Sequence, residues 1–390
     1  MTAADIFKEA AIPLSLYVHI PWCVRKCPYC DFNSHTLRGP NVPEAAYVEA
    51  LLADLDSEKN LAHDRRIDTV FIGGGTPSLL SGAAVETLLA GIDRRLGFGE
   101  DVEITIEANP GVSERGRFRT FREAGVNRLS IGAQSFSDPA LKRLGRIHDA
   151  DDARASIDAA HAAGFEVINV DLMYALPGQS LADAEHDVRE ACDRGPTHIS
   201  HYQLTLEPNT LFARYPPALP SEDSAWAMLG AARDVLDSGG YTQYEVSAYA
   251  ASGHRCRHNV NYWEFGDYLG IGAGAHGKCT TDKVRRTSKQ RQPKRYMSTA
   301  GSPEAISGER ALEGEDLVLE FMLNALRLTS GFDDTLFTAR TGLPLSVAEP
   351  SLTRAKERGL LWRLCGRTGP TELGKRFLDD LVGLFMLDAH

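Results

Sequence analysis

Residues 15–30 read SLYVHIPWCVRKCPYC. The first six form an apolar, strand-like run. Cys23, Cys27 and Cys30 then follow with C-x3-C-x2-C spacing and an aromatic residue before the last. The thiolates therefore sit on a loop at the C-terminal end of a strand, where α/β barrels build their active sites. Thiolates are the usual ligands of iron–sulfur clusters. Three of them on a four-iron cluster leave one iron open to a small chelating molecule. Structural zinc instead wants four ligands in a closed tetrahedron; His19 and His35 are the nearest candidates for a fourth. The remaining cysteines, Cys192, Cys256, Cys279 and Cys365, are scattered, and an odd total of seven argues against a disulfide framework.

Downstream, similar runs recur between helical patterns. Strands are expected at 15–20, 69–74, 102–108, 128–133, 167–174 and 198–204. They are rich in Val and Ile and read as buried on both faces. Helices are expected after Pro43 and near 81–95, 114–124, 150–163, 182–194 and 221–237. Repeated βα units imply a parallel sheet with helical crossovers. Six units predict an α/β fold built as an open, partial (β/α)6 barrel, and a doubly wound sheet is the alternative. The expected division is a core over 1–240, an irregular segment over 241–300 and a small, mainly helical C-terminal domain over 301–390. Within the last, 315–328 reads as an amphipathic helix, and the helix–hairpin–helix pattern after it suggests a winged helix.

The 390 residues carry 42 Lys or Arg against 53 Asp or Glu, a net charge of −11. Such a chain lacks the basic face that general nucleic-acid binding needs. The first residues carry no basic region ahead of a clean apolar run, so no signal peptide is read there. No stretch reaches the roughly 18 apolar residues of a membrane helix. The expected location is the cytoplasm, where thiols stay reduced.

Tyr17-Val-His-Ile-Pro-Trp-Cys23 followed by CxxxCxxC resembles the radical S-adenosylmethionine (SAM) superfamily, and within it the branch of the oxygen-independent coproporphyrinogen oxidases (HemN type) and HemW heme chaperones. The resemblance implies a [4Fe–4S] cluster on Cys23, Cys27 and Cys30, with SAM chelating the open iron. It assigns the methionine end of SAM to Gly73-Gly74-Gly75-Thr76-Pro77 and its ammonium to Glu107. Gln134, Arg146 and Asp171 match positions that hold a second SAM in the oxidase, and Tyr17 and Tyr29 match aromatic contacts near the cluster. On the residues alone, GGGTP is also an ordinary turn, and Glu107 and Asp171 are polar residues in apolar strands, where each needs a partner.

Two features depart from the oxidase. Its CxxxCxxCxC pattern has Phe32 here in place of the last cysteine, and only 16 residues precede Tyr17. Both fit the HemW branch. So does His258-Asn-Val-Asn-Tyr-Trp263, which matches that branch's HNxxYW motif, associated with heme. A neutral imidazole is a common heme-iron ligand, and His254, Cys256 and His258 would share one face if the chain there were extended. Cys27-Pro28 resembles a heme-responsive dipeptide, but Cys27 is committed to the cluster. Gly270-Ile-Gly272-Ala-Gly274 is only a partial glycine fingerprint and reads as a tight turn near the cleft. Residues 278–295 hold eight Lys or Arg and one Asp; the run reads as a solvated loop or as a partner for porphyrin propionates or an acidic acceptor. The resemblance implies a heme chaperone that binds heme, takes electrons from a donor such as flavodoxin or ferredoxin, and passes heme to an acceptor protein. An anaerobic coproporphyrinogen III oxidase and a radical-SAM methyltransferase are the alternatives.

Overall fold

The computed structural model describes residues 6–7, 10–39 and 41–386. Residues 1–5 and 8–9 of the stretch read for a leader, and the last four residues of the expected C-terminal domain, lie outside the described residues. Six strands match the sequence reading: β1 (Leu14–Ile20), β2 (Ile67–Gly74), β3 (Phe98–Ala108), β4 (Arg128–Gln134), β5 (Val167–Tyr174) and β6 (His198–Gln203). They lie side by side in chain order, all parallel. Helices α1 (Glu44–Glu58), α2 (Gly82–Leu96), α3 (Val112–Arg115), α4 (Phe118–Glu123), α5 (Asp138–Arg143), α6 (Ala150–Ala162) and α7 (Leu181–Asp193) make the crossovers, and α8 (Glu222–Ser238) follows β6. The single helix expected over 114–124 is thus two short ones. Gly116 lies between them, and glycine is a poor interior helix residue. Elsewhere the helix starts are well specified: Ser81 accepts from Ala84 N, and Ser180 with Asp183 forms a capping box.

The stretch 241–300 is ordered, which corrects the irregular segment expected there. It holds β7 (Thr242–Glu245), β8 (Ala248–Ala250), α9 (Arg257–Trp263), β9 (Asp267–Ile271), β10 (His276–Thr280), β11 (Val284–Lys289) and α10 (Pro293–Thr299). With β12 (Ile306–Leu312), these strands complete a 12-stranded sheet in the order β12-β11-β10-β9-β1-β2-β3-β4-β5-β6-β8-β7. Strand β9 pairs with β1 in parallel, so the parallel run has one strand more than the six expected. These strands lack an apolar run because their buried positions carry charge. Lys278 is buried against Asp267 at 3.0 Å, and Lys289 against Asp54 at 2.6 Å. The solvated basic loop read over 278–295 is corrected with them. Lys283, Arg285 and Arg286 pair with Glu313, Glu309 and Glu320, leaving Arg291, Lys294 and Arg295 without an ion pair among the described residues.

The strands are also not apolar on both faces. Ile104, Ile106, Leu129, Ile131, Val170 and Ile199 pack into the main hydrophobic core. Their neighbours at period two are polar: Glu103, Thr105 and Glu107 in β3, Arg128 and Ser130 in β4, Asn169 and Asp171 in β5, His198 and Ser200 in β6. A second apolar cluster holds Phe265, Phe321, Phe332, Phe337 and Leu352. It is built largely by α11 (Gly314–Ala325), β13 (Phe332–Asp333), α12 (Asp334–Thr341), α13 (Glu349–Glu357), β14 (Leu361–Leu364), β15 (Arg367–Pro370), α14 (Glu372–Arg376) and α15 (Leu378–Gly383). The three strands form a small antiparallel sheet in the order β13-β15-β14.

Candidate functional site

After β1 the chain runs into the cysteine loop. Trp22–Cys23 pairs with His35–Thr36 and closes the loop at its base. Asn33 Nδ2 donates to Ala273 O at 2.8 Å and Arg291 O at 2.9 Å, holding the loop against the segment after β9. This is where the glycine run 270–274 lies: Gly272 and Gly274 have φ of 108° and 82°. His19 and His35 are not ligand candidates here. His19 Nε2 donates to Asn33 O at 2.9 Å and Nδ1 accepts from Tyr17 OH at 3.0 Å, while His35 Nε2 meets Arg291 O at 3.2 Å. Burial pushes His19 down to about 4, so its ring is neutral.

Cys23, Cys27 and Cys30 are free thiols on the wall of one cavity of about 830 Å³. Burial raises Cys23 and Cys30, and each thiolate opposes its neighbours; a bound cationic centre would reverse that preference. Among the described residues no three His, Cys, Asp or Glu side chains converge on one point as a single-ion site requires. A four-iron cubane binds each cysteine through a different iron, so its ligands ring a volume rather than meet. The three thiols share the wall of one cavity, where such a set would have to lie.

The other predicted residues open into the same cavity: Tyr17, Tyr29, Gly74, Gly75, Thr76, Glu107, Gln134, Arg146, Asp171 and His258. Gly75 N donates to Ile20 O at 2.7 Å and Thr76 N to Trp22 O at 2.8 Å, tying the GGGTP turn to the cysteine loop. Glu107 accepts from Gly74 N at 3.0 Å. Burial, then the Asp171 carboxylate, pushes Glu107 up to about 8. Gln134 stands at a φ of 68° and its Oε1 is buried without a hydrogen bond, as is Arg146 Nε. Those orphaned atoms suit a polar ligand with complementary groups. Arg146 also donates to Asn109 Oδ1 at 2.7 Å and Gly132 O at 2.8 Å, and lies 3.7 Å from Cys27 Sγ. Asp171 accepts from Asn169 at 2.7 Å and Ser130 at 3.2 Å. Phe32, where the oxidase pattern has a cysteine, is 58 % exposed at the cavity wall.

His258 is the second residue of helix α9, which Cys256 caps, so the extended arrangement of His254, Cys256 and His258 is corrected. Glu103 accepts from Arg257 N at 3.1 Å and His258 N at 3.0 Å and fixes the start of that helix. Thr69 Oγ1 donates to Ser15 Oγ at 2.8 Å and so accepts from His258 Nδ1 at 2.7 Å. His258 Nε2 then carries the lone pair, which accepts from Tyr262 OH at 2.9 Å. Burial holds the ring neutral, at about 3. Tyr262 and Trp263 line the cavity, and Arg327 lies over the Trp263 ring at 4.4 Å.

Several cavity residues escape a motif reading. Asn109 bridges Thr76 Oγ1, at 2.9 Å, and Arg146. Arg128, Ser130, Asn169 and Ser200 face the interior from their strands. Their signal was the period-two polar stripe, hidden because the alternate residues are strongly apolar.

A cysteine triad after the first strand of an open parallel α/β barrel, with carboxylates and orphaned amide and guanidinium groups around one cavity, is the arrangement of a radical-SAM protein. Residues 17–191 match the Radical SAM superfamily, and residues 312–377 match the HemN C-terminal domain. That superfamily takes a [4Fe–4S] cluster and SAM. The chain is 49% identical over 378 residues to the heme chaperone HemW of Escherichia coli K12, covering 96% of this chain and 99% of that one. Those of Haemophilus influenzae and Bacillus subtilis are 44% and 33% identical, covering 96% and 95% of this chain and 98% and 99% of theirs. The chain belongs to the HemW family of the radical-SAM superfamily. Its fold is that of the coproporphyrinogen III oxidase HemN of E. coli, with a TM-score of 0.81 at 23% identity over 99% of this chain and 92% of that one. Among the described residues no helix is long and apolar enough to cross a membrane.

Proposed function

We propose that this chain is a heme chaperone that holds a [4Fe–4S] cluster on Cys23, Cys27 and Cys30, SAM beside it and heme through His258, and hands heme to an acceptor protein. The observation that carries this reading is that the cysteine loop and the HNVNYW helix open into one cavity of about 830 Å³. The cluster, when bound, supplies an electron for reductive cleavage of SAM. Glu107 and the GGGTP turn take the amino-acid end of SAM; Gln134, Arg146 and Asp171 offer polar contacts beyond it, with Tyr17 and Tyr29 as aromatic walls. His258 is held in the tautomer that presents Nε2 to a metal, with Thr69 on the other nitrogen. Tyr262 OH must move off Nε2 for iron to approach. Phe32 in place of a fourth cysteine favours the chaperone over the oxidase. The helix–strand–helix–helix–strand–strand order after residue 312 supports a winged-helix reading of the last domain, beside a core over 1–240. A flavodoxin or ferredoxin suits the electron-donor role, in the cytoplasm.

Anaerobic reconstitution followed by heme titration tests the proposal. Wild type takes up about four irons and, separately, about one heme per chain. Cys→Ala at 23, 27 or 30 removes the first, and His258→Ala changes the heme spectrum while leaving the cluster. Conversion of coproporphyrinogen III by wild type, or zinc uptake with no iron, would defeat the reading.

A further inference from the structure

Arg128 opens β4 with its side chain in the cavity and is 2 % exposed. A guanidinium stays charged and carries five N–H donors in a planar fork. In this protein it makes no hydrogen bond and no ion pair among the described residues, and its Nε is an orphaned buried donor. Two carboxylates lie in its surroundings, but each is committed elsewhere. Glu103 accepts from the backbone at the start of α9, and Asp171 accepts from Asn169 and Ser130. Two further polar side chains on the same cavity, Ser247 and Asn259, are likewise without a hydrogen bond among the described residues.

Leaving a buried charge without hydrogen bonds is costly, and here it persists beside open volume. Arg128 and Gln134 stand at opposite ends of β4. Six strand rises of about 3.3 Å put them roughly 20 Å apart, so Arg128 belongs to the inner end of the cavity. His258 is bound to Thr69, the third residue of β2, and so belongs to that end as well.

The geometry points to a carboxylate-binding subsite at the inner end of the barrel, with Arg128 as its anchor and Asn259 and Ser247 as additional donors. Under the heme reading, on which its natural occupant rests, that carboxylate is a porphyrin propionate, and a planar fork matches it in bidentate fashion. Asn259 of the HNVNYW stretch would then hold the porphyrin's acid group while His258 holds its iron.

The test uses the full chain and two probes that separate the acid groups from the metal: iron-free protoporphyrin IX, which keeps both propionates, and the dimethyl ester of iron protoporphyrin, which has none free. Arg128→Gln is expected to weaken protoporphyrin IX roughly 10- to 100-fold, the range for a lost hydrogen bond to a charged group, and to leave the ester unchanged. His258→Ala is expected to do the reverse. Asn259→Ala and Ser247→Ala, at partly exposed sites, repeat the Arg128 pattern more weakly and serve if Arg128→Gln does not fold. If Arg128→Gln, or the pair in its place, binds protoporphyrin IX as wild type does, the subsite is overturned whatever His258 does. If His258→Ala leaves the ester unaffected while Arg128→Gln still weakens protoporphyrin IX, iron ligation by His258 fails and the subsite stands. If wild type binds neither probe, the propionate subsite falls with the heme reading.

Discussion

Gly75 is the point where the glycine turn and the cysteine loop touch, and Gly75→Ala should separate them. A Cβ there would lie 2.5 Å from Trp22 O and 2.9 Å from Ile20 O, where ordinary contact begins at 3.4 Å. Both neighbours are backbone atoms, which cannot swing aside, so the turn must retreat by about 0.9 Å from the nearer one. Its two hydrogen bonds to the loop, 2.7 and 2.8 Å long, would then stretch to about 3.6 Å and cease to count. Two net backbone bonds are worth about 2 kcal/mol and overpacking costs about 1–3 kcal/mol, so the expected destabilisation is about 3–5 kcal/mol. Cys23 rides on the displaced loop, and iron uptake should fall with it. Urea unfolding gives the first quantity and iron per chain after reconstitution gives the second. Gly230→Ala in α8 is the control: its Cβ meets nothing within 4 Å, and it should stabilise by about 0.5–1 kcal/mol. A Gly75→Ala protein that unfolds with wild-type stability and takes up a full complement of iron would refute the reasoning.

Glu107 gives a pH signature to the cofactor-free protein. Its carboxyl is raised from 4.5 to about 8 by burial and by Asp171, so between those values the folded state binds a proton that the unfolded state has released. Stability must then fall as pH rises through that window; Glu107→Gln should flatten the slope in unfolding at pH 5, 6.5 and 8, and an unchanged slope would reject the assignment. Tyr262→Phe removes the hydroxyl on His258 Nε2, and stopped-flow mixing should show heme binding faster than in wild type; a slower rate would mean that Tyr262 helps hold the iron. Lys278→Met leaves Asp267 with Arg65 as its remaining cation, at 2.8 Å, and should cost roughly 3 kcal/mol in urea unfolding; a variant as stable as wild type would show that Arg65 suffices.

How far the sequence could be read depended on where each residue's partner lay. Cys23, Cys27 and Cys30 answer to one another within eight residues, so their spacing alone carried the chemistry. The six strands β1–β6 were visible because the core-facing half of each, such as Ile104 with Ile106 or Leu129 with Ile131, is apolar enough to mark a strand. That same apolarity hid the inner half. Arg128, Ser130 and Asn169 carry no reading of their own in strands that read as buried on both faces, whereas in the structure they form part of the wall of the cavity. The error over 241–300 has the opposite cause. Lys278 and Lys289 look solvated until Asp267 and Asp54 are brought to them, the latter from 235 residues away. A charge paired over such a distance leaves no local trace, so the strands bearing it could not be recognised from their own residues. His258 combines both situations. Its motif was legible as HNVNYW, but its tautomer is set by Thr69 and Ser15, on two different strands. The residue proposed to meet iron was therefore singled out from sequence, and the nitrogen that would do so only from the fold.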